Sequence, residues 1–275
     1  MSVSEILGAG SSKQLDLLRQ IQLPCYDNGT RFTETAKLDR ISEILSGNPY
    51  SAIRIQGDLF HLYSQRPLES LDTLSVVVLS THADFVKDIK DPFVCEKQNG
   101  VLLGTFDNSA TNAAALSLML AEVLPHNVLV AFTGNEEYGM RGARELDKYL
   151  VSVFGCHPFY FSLDVTNIGY GEKQFSIENT FSLPAEALDK IIKLAKETGL
   201  SGYLYPEALA DESDEYNRCG AFGCSLCVPT KGPMHSDKGC KMEPGAYLGY
   251  IQVVGNIACH MRQCVEALQI ARQGR

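Results

Sequence analysis

Nearly continuous apolar runs, rather than alternating ones, set the limits on what this chain can fold into. They are SVVVLST (75–81), NVLVAFT (127–133), FYFSL (159–163) and CSLCVP (224–229). A strand that is apolar on both sides is buried on both faces, and such strands belong to parallel sheets covered by helices. The segments between them read as those helices: ATNAAALSLMLAEVL, MRGARELDKYLV, and LPAEALDKIIKLAKETG with Pro184 near its start and Gly199 at its end. A further helical stretch runs from about Pro244 to Arg272. Alternating strands and helices predict a three-layer α/β fold, a mostly parallel central sheet with helices on both faces.

Upstream, SAIRIQGD and LFHLYSQR alternate and pair as a hairpin around Gly57-Asp58. The first fifty residues read as mainly helical, with Leu15, Leu17, Leu18 and Ile21, then Leu38, Ile41, Ile44 and Leu45, ending in the turn SGNP. With no internal repeat and no Pro/Gly/Ser linker, the expectation is one domain over residues 1–275, the helical first fifty included.

Charge and composition narrow the function. The formal net charge of −9 and the lack of a Lys/Arg block argue against nucleic acid and against an anionic membrane surface. No apolar stretch reaches the ~20 residues needed to span a bilayer. The start lacks a basic segment followed by an apolar one, so the expected location is the cytoplasm. Nine cysteines, an odd and scattered set, fit buried free thiols better than a disulfide framework.

The chemistry stands at the ends of the apolar runs. His82 and Asp84 follow the first, Asp107 lies in GTFDN, Glu136 and Glu137 follow NVLVAFTGN, Asp164 follows FYFSL, and His235 lies in GPMHS. In open α/β sheets the ligand crevice lies outside the carboxyl ends of the strands. Each residue alone has an ordinary explanation: a helix N-cap for Asp107, a solvated acidic pair at a helix start for Glu136 and Glu137. Their recurrence on successive strand ends points instead to a metal site.

THAD, TFDN, GNEEYGMRGA, SLDVTN, SDEYNRCGAFG and GPMHS, in this order, resemble the dinuclear zinc aminopeptidases of the bacterial leucyl aminopeptidase type, within the zinc exopeptidase clan. The resemblance runs from about Ile53 to the C-terminus and implies the phosphorylase/hydrolase-like fold of that clan. It also implies two Zn2+ ions per chain, a small peptide or amino-acid amide substrate, and leaves a homo-oligomer open. By that resemblance His82, Asp107 and Asp164 hold one zinc and Glu137 and His235 the other, with Asp107 bridging. Asp84 orients His82, Glu136 is the general base, and the Asp107-Asn108 peptide corresponds to one that is cis in the family.

The chain departs from the family pattern at Ala110, Thr111 and Asn112, where a glycine is usual, and at Glu215, which is expected to bear on substrate contacts. There is no room for an inserted lid domain within the motif series. Zero Trp disfavours the related glutaminyl cyclases. Three rival readings remain: a structural zinc cluster of Cys219, Cys224, Cys227 and Cys240; a non-catalytic binding module; and the same metals serving a carboxypeptidase, dipeptidase or N-acyl amino acid deacylase. Asp211, Glu215, Arg141, Arg218 and Lys231 leave open which end of a substrate is read.

Overall fold

A computed structural model describes residues 11–273 of the chain. The four apolar runs become β5 (Val77–His82), β8 (Val128–Thr133), β9 (Phe159–Thr166) and β12 (Phe222–Lys231). They lie side by side in the order β8-β5-β9-β12, all parallel. Antiparallel strands extend the sheet. On one side are β3 (Ile53–Gln56) and β4 (Phe60–Ser64), the expected hairpin. On the other are β13 (Cys240–Met242), β7 (Leu102–Gly104) and β6 (Val94–Glu96), while β10 (Phe175–Glu178) pairs with β12 and carries β11 (Gly202–Tyr205).

Successive side chains on the core strands divide between two apolar clusters, because strand residues alternate in direction. Val77, Leu79, Val128, Val130 and Phe132 join one cluster; Val76, Val78, Leu129, Ala131 and Tyr160 join the other. Each such side chain contributes about 2 kcal/mol by leaving water, which is why these runs carry almost no polar residue before their ends. Helices cover both faces: α1 (Ser11–Gln20), α2 (Ala36–Ile44), α3 (Ser109–Leu120), α4 (Arg141–Phe154), α5 (Ala185–Glu197), α6 (Glu212–Cys219), α7 (Pro244–His260) and α8 (Arg262–Gln273). α3 is buried on every side from Ser109 to Met119. Its small residues let it pack against β5, β9, α1 and α7 at once.

The first fifty residues differ from a mainly helical reading. Between α1 and α2 the chain forms a small antiparallel pair, β1 (Tyr26–Asp27) and β2 (Phe32–Glu34). Asn28-Gly29 makes its turn, with Gly29 at φ 84°, and that dipeptide was its sequence signal. Residues 1–10 of the expected helical segment lie outside the described residues. The closing helical stretch also divides, at Met261, into α7 and α8.

Two features fix the approach to the strand ends. Gly142, in the first turn of α4, lies flush against the chain leaving β8, and its N–H donates to the Gly134 carbonyl at 3.0 Å. A Cβ there would be driven into the carbonyl oxygens of Gly134 and Leu59. Gly142→Ala is therefore expected to destabilise the protein by about 1–3 kcal/mol, read as a lower denaturant midpoint. An unaltered midpoint would show that the helix start can shift without cost.

Lys37, fully buried on α2, donates its ammonium to the Ala83 carbonyl at 2.8 Å and sits 3.8 Å above the Phe85 ring. Burial lowers its pKa from the ordinary 10.5 to about 8, against the pull of Cys25, Asp84 and Asp107. Below that value the folded and unfolded chains are both protonated, and the full cost of the buried charge is present. Between about 8 and 10.5 the unfolded chain binds more protons, so this group makes stability rise with pH. Wild type should gain up to about 3 kcal/mol relative to Lys37→Met across that window. Denaturation at several pH values checks it, and a flat difference would contradict a buried titrating ammonium.

Candidate metal centre

The register of the sheet decides which polar side chains meet. Ser80 of β5 pairs with Ser162 of β9. Two residues further on, His82 and Asp164 leave the sheet on the same face, side by side. His82 Nε2 lies 3.8 Å from Asp164 Oδ1, 3.1 Å from Asp107 Oδ1 and 3.9 Å from Glu136 Oε2. Asp107 turns its other oxygen toward His235, with Oδ2 3.1 Å from His235 Nε2. That same nitrogen is 3.3 Å from Glu137 Oε2.

Three sets of side chains hence bring donor atoms within 4.8 Å of one another: His82, Asp107 and Asp164; Asp107, Glu137 and His235; and His82, Glu136 and Glu137. The donors are imidazole nitrogens and carboxylate oxygens, a set suited to borderline and hard divalent cations. Asp107 is thus shared between two imidazoles, with further acids on either side.

The ordinary explanations for the single residues do not survive this geometry. The residue preceding α3 is Asn108 rather than Asp107, and neither side chain caps the helix. Asp107, joined to Asn108 by a cis peptide, points at the two histidines. Glu136 and Glu137 are nearly buried, in a turn that ends before α4 begins at Arg141. Asp84 lies 3.6 Å from His82 Nδ1, on the side of the ring away from Asp107. The same carboxylate accepts the Glu136 backbone N–H at 3.4 Å.

Crowding shapes the protonation of these groups. For His82, burial opposes the charged form, but Glu136, Asp107, Asp164 and Asp84 outweigh it and hold the imidazole well above its usual range. Burial pushes Glu136 well above the carboxylate range, and neighbouring acids add to the effect. Glu137 is raised to about 8 by burial and by Asp107. His235 is raised to about 9, chiefly by its hydrogen bond to Asp107. Asp107 is held low: burial works against this, and its two histidine partners prevail.

Residues missed in the sequence complete the surroundings. Asp27 of β1 accepts the Asn135 backbone N–H at 2.6 Å and its side-chain amide at 3.2 Å, pinning the turn that carries the paired glutamates. The positions where a glycine is usual hold the end of β5 instead: Asn112 donates to the His82 carbonyl and to Thr81 Oγ1, both at 2.7 Å. Thr111 bonds Thr81 at 2.7 Å, and Asn108 donates to the Leu163 carbonyl at 2.8 Å. Glu212, buried at the start of α6, accepts hydrogen bonds from Ser80 and Thr133 and so ties β5 to β8.

A cavity of about 300 Å³ opens onto the cluster, with Glu178, Asp211 and Cys227 among its lining residues. Of the five charged residues that left the substrate end open, only Asp211 lines it. Glu215 does not bear on it: Arg144 and Arg218 hold its carboxylate at 2.6 and 3.4 Å. Arg141 pairs with Glu145 at 3.5 Å. All nine cysteines are free. Cys224 and Cys227 lie three residues apart on one strand, so they face opposite sides of the sheet and cannot converge on one ion.

Against known proteins, the profile of peptidase family M20/M25/M40 matches residues 78–259, well over half of the chain. No curated protein sequence matches. Among solved structures, a TET aminopeptidase from a marine sediment archaeon of the Thaumarchaeota superposes with a TM-score of 0.74 at 13% identity, covering 94% of this chain and 99% of that one. The TET1 peptidase of Pyrococcus horikoshii, described as assembling into a tetrahedron or a large octahedral shell, gives 0.63 at 11% identity over 91% and 100% of the two chains. A zinc aminopeptidase of Bacillus subtilis gives 0.54 at 11% identity over 72% and 48%. At these identities the structural likeness speaks to the fold, and the family rests on the sequence profile: this chain belongs to peptidase family M20/M25/M40.

Proposed function

We propose that this peptidase is a dinuclear zinc aminopeptidase, folded as one catalytic domain. The observation that carries the reading is Asp107, whose two oxygens stand 3.1 Å from His82 on one side and 3.1 Å from His235 on the other. His82 and Asp164 would complete one zinc position, and Glu137 and His235 the other, with Asp107 common to both. When bound, zinc would supply Lewis acidity at the scissile carbonyl and make an attacking water acidic near neutral pH.

The residues do the rest. Asp84, behind the His82 ring, keeps its Nε2 turned into the cluster. Glu136, raised well above the carboxylate range by burial and by its acidic neighbours, accepts the proton of the attacking water and delivers it to the departing amine. Among the described residues lining the cavity there is no Lys or Arg to receive a substrate carboxylate, which favours an amino-terminal substrate over a carboxypeptidase substrate. Nine free thiols suit a reducing compartment such as the cytoplasm. No helix among the described residues is long and apolar enough to cross a membrane. A homo-oligomer is part of this reading through the assembly described for the TET1 relative.

Glu136→Ala should retain about two zinc ions per chain by elemental analysis while kcat on aminoacyl anilides falls ~10²- to 10⁴-fold. Full activity in that variant would remove Glu136 as the base, and fewer than one ion in zinc-loaded wild type would remove the dinuclear site. Zinc must also displace the protons that Glu137 and His235 hold below about 8 and 9. Calorimetry in buffers of different ionisation heat should therefore show net proton release at pH ~7, with apparent affinity rising toward pH ~9. A pH-independent affinity would contradict these two residues as ligands.

A further inference from the structure

The cavity beside the metal cluster has a composition that an aliphatic side chain does not need. Val165, Ile168 and Met234 give it apolar walls, but its lining also includes Glu178, a carboxylate that is only 5% exposed. Glu178 accepts hydrogen bonds from the hydroxyls of Ser176 and Thr166. The hydroxyls leave the carboxylate its full negative charge; burial raises its pKa, the two hydroxyls oppose that shift, and Asp164 adds to it. Asp211, the neighbouring acid, accepts three hydrogen bonds from Ser213 and Ser225. Glu178, with two hydroxyl partners, is the less fully bonded of the two acids.

Register fixes how far this carboxylate stands from the chemistry. Asp164 of β9 pairs with Cys227 of β12, and Ser176 of β10 pairs with the same Cys227. Glu178 itself pairs with Ser225, which faces Ser162, so its backbone stands two strands across and two residues along from Asp164, about 12 Å away, with its side chain turned back to Ser176. The α-ammonium of a substrate is separated from its scissile carbonyl by a single carbon, so with that carbonyl at the cluster it does not reach Glu178. An extended side chain on that same carbon does. Methylenes against apolar walls with an ammonium on a buried carboxylate are how a lysine side chain is satisfied in a protein interior.

We propose that this cavity receives the side chain of the substrate's first residue and selects a cationic one, with Glu178 as the specificity-determining residue. The inference rests on the aminopeptidase reading above. Selection comes from pairing a charge that stays uncompensated when a neutral side chain enters.

The test compares L-lysyl and L-norleucyl p-nitroanilide, which share the α-ammonium and the methylene chain and differ in the terminal ammonium. Zinc-loaded wild type should favour the lysyl substrate in kcat/KM by ~tenfold or more, and Glu178→Gln should lower that ratio at least ~tenfold. Calorimetric binding of L-lysine and L-norleucine to the same two proteins should follow the same order. A wild-type preference for norleucine overturns the proposal without recourse to any variant. A Glu178→Gln protein that loses both substrates in equal proportion also overturns it, since Glu178 would then serve the fold or the α-ammonium. If no anilide is cleaved, the aminopeptidase reading fails, and calorimetry still decides whether the cavity prefers the cationic side chain.

Discussion

Carboxylates crowded into a crevice with little water repel one another, and everything around the strand ends of this protein answers that repulsion. Asp107, Glu136, Glu137 and Asp164 meet within a few ångströms of two imidazoles. Such a set costs stability unless positive charge joins it. The histidines supply part of that charge, which is why both are held above their usual range. The remainder is the physical argument for cations at this place. The fold, for its part, must hold the acids together against their tendency to separate. It does so with neutral donors and one buried lysine: Asn112 on the His82 carbonyl, Asn108 on Leu163, and Lys37 on Ala83.

These supports are drawn from distant parts of the chain. Asp27 comes from the small N-terminal strand pair, Lys37 from α2, Glu212 from α6, yet all three act on the exits of β5 and β8. α6 is itself anchored by Tyr216 stacked on Tyr160 of β9, ring centroids 3.7 Å apart. The helix that supplies Glu212 and, at its cap, Asp211 is thereby fixed to the strand that supplies Asp164. The layers between the two apolar clusters are not passive scaffold: the same packing that buries the strands sets the spacing of the donors.

What the sequence made legible follows from locality. The four core strands, their helices and the β3–β4 hairpin are written in runs of apolar residues and turn dipeptides, and the strand-end acids stand directly beside those runs. The β1–β2 pair is marked only by Asn28-Gly29, because two- and three-residue strands are too short to show a period. Glu178 and Lys37 were hidden for a different reason. Glu178 ends a four-residue strand, and Lys37 sits on a helix face whose burial depends on α2 packing against the β5 exit. Nothing within ten residues of either announces it. The register that places Glu178 two strands from Asp164 is a long-range property, and so is the pairing that removes Glu215 from the substrate side.

The two halves of the histidine–carboxylate cluster are held unequally, and the inequality follows from where their side chains are attached. His82 and Asp164 belong to adjacent parallel strands of the buried sheet, and the His82 side chain is 3% exposed. His235 stands in the loop between β12 and β13, with a side chain 58% exposed. A donor on a strand core is fixed by packing on both faces, whereas a loop histidine is positioned mainly by the partners it binds. Asp107 and Glu137 therefore order His235, rather than His235 ordering them. The strand-held half is preformed by the same burial that stabilises the sheet, and the loop-held half acquires its geometry from charge.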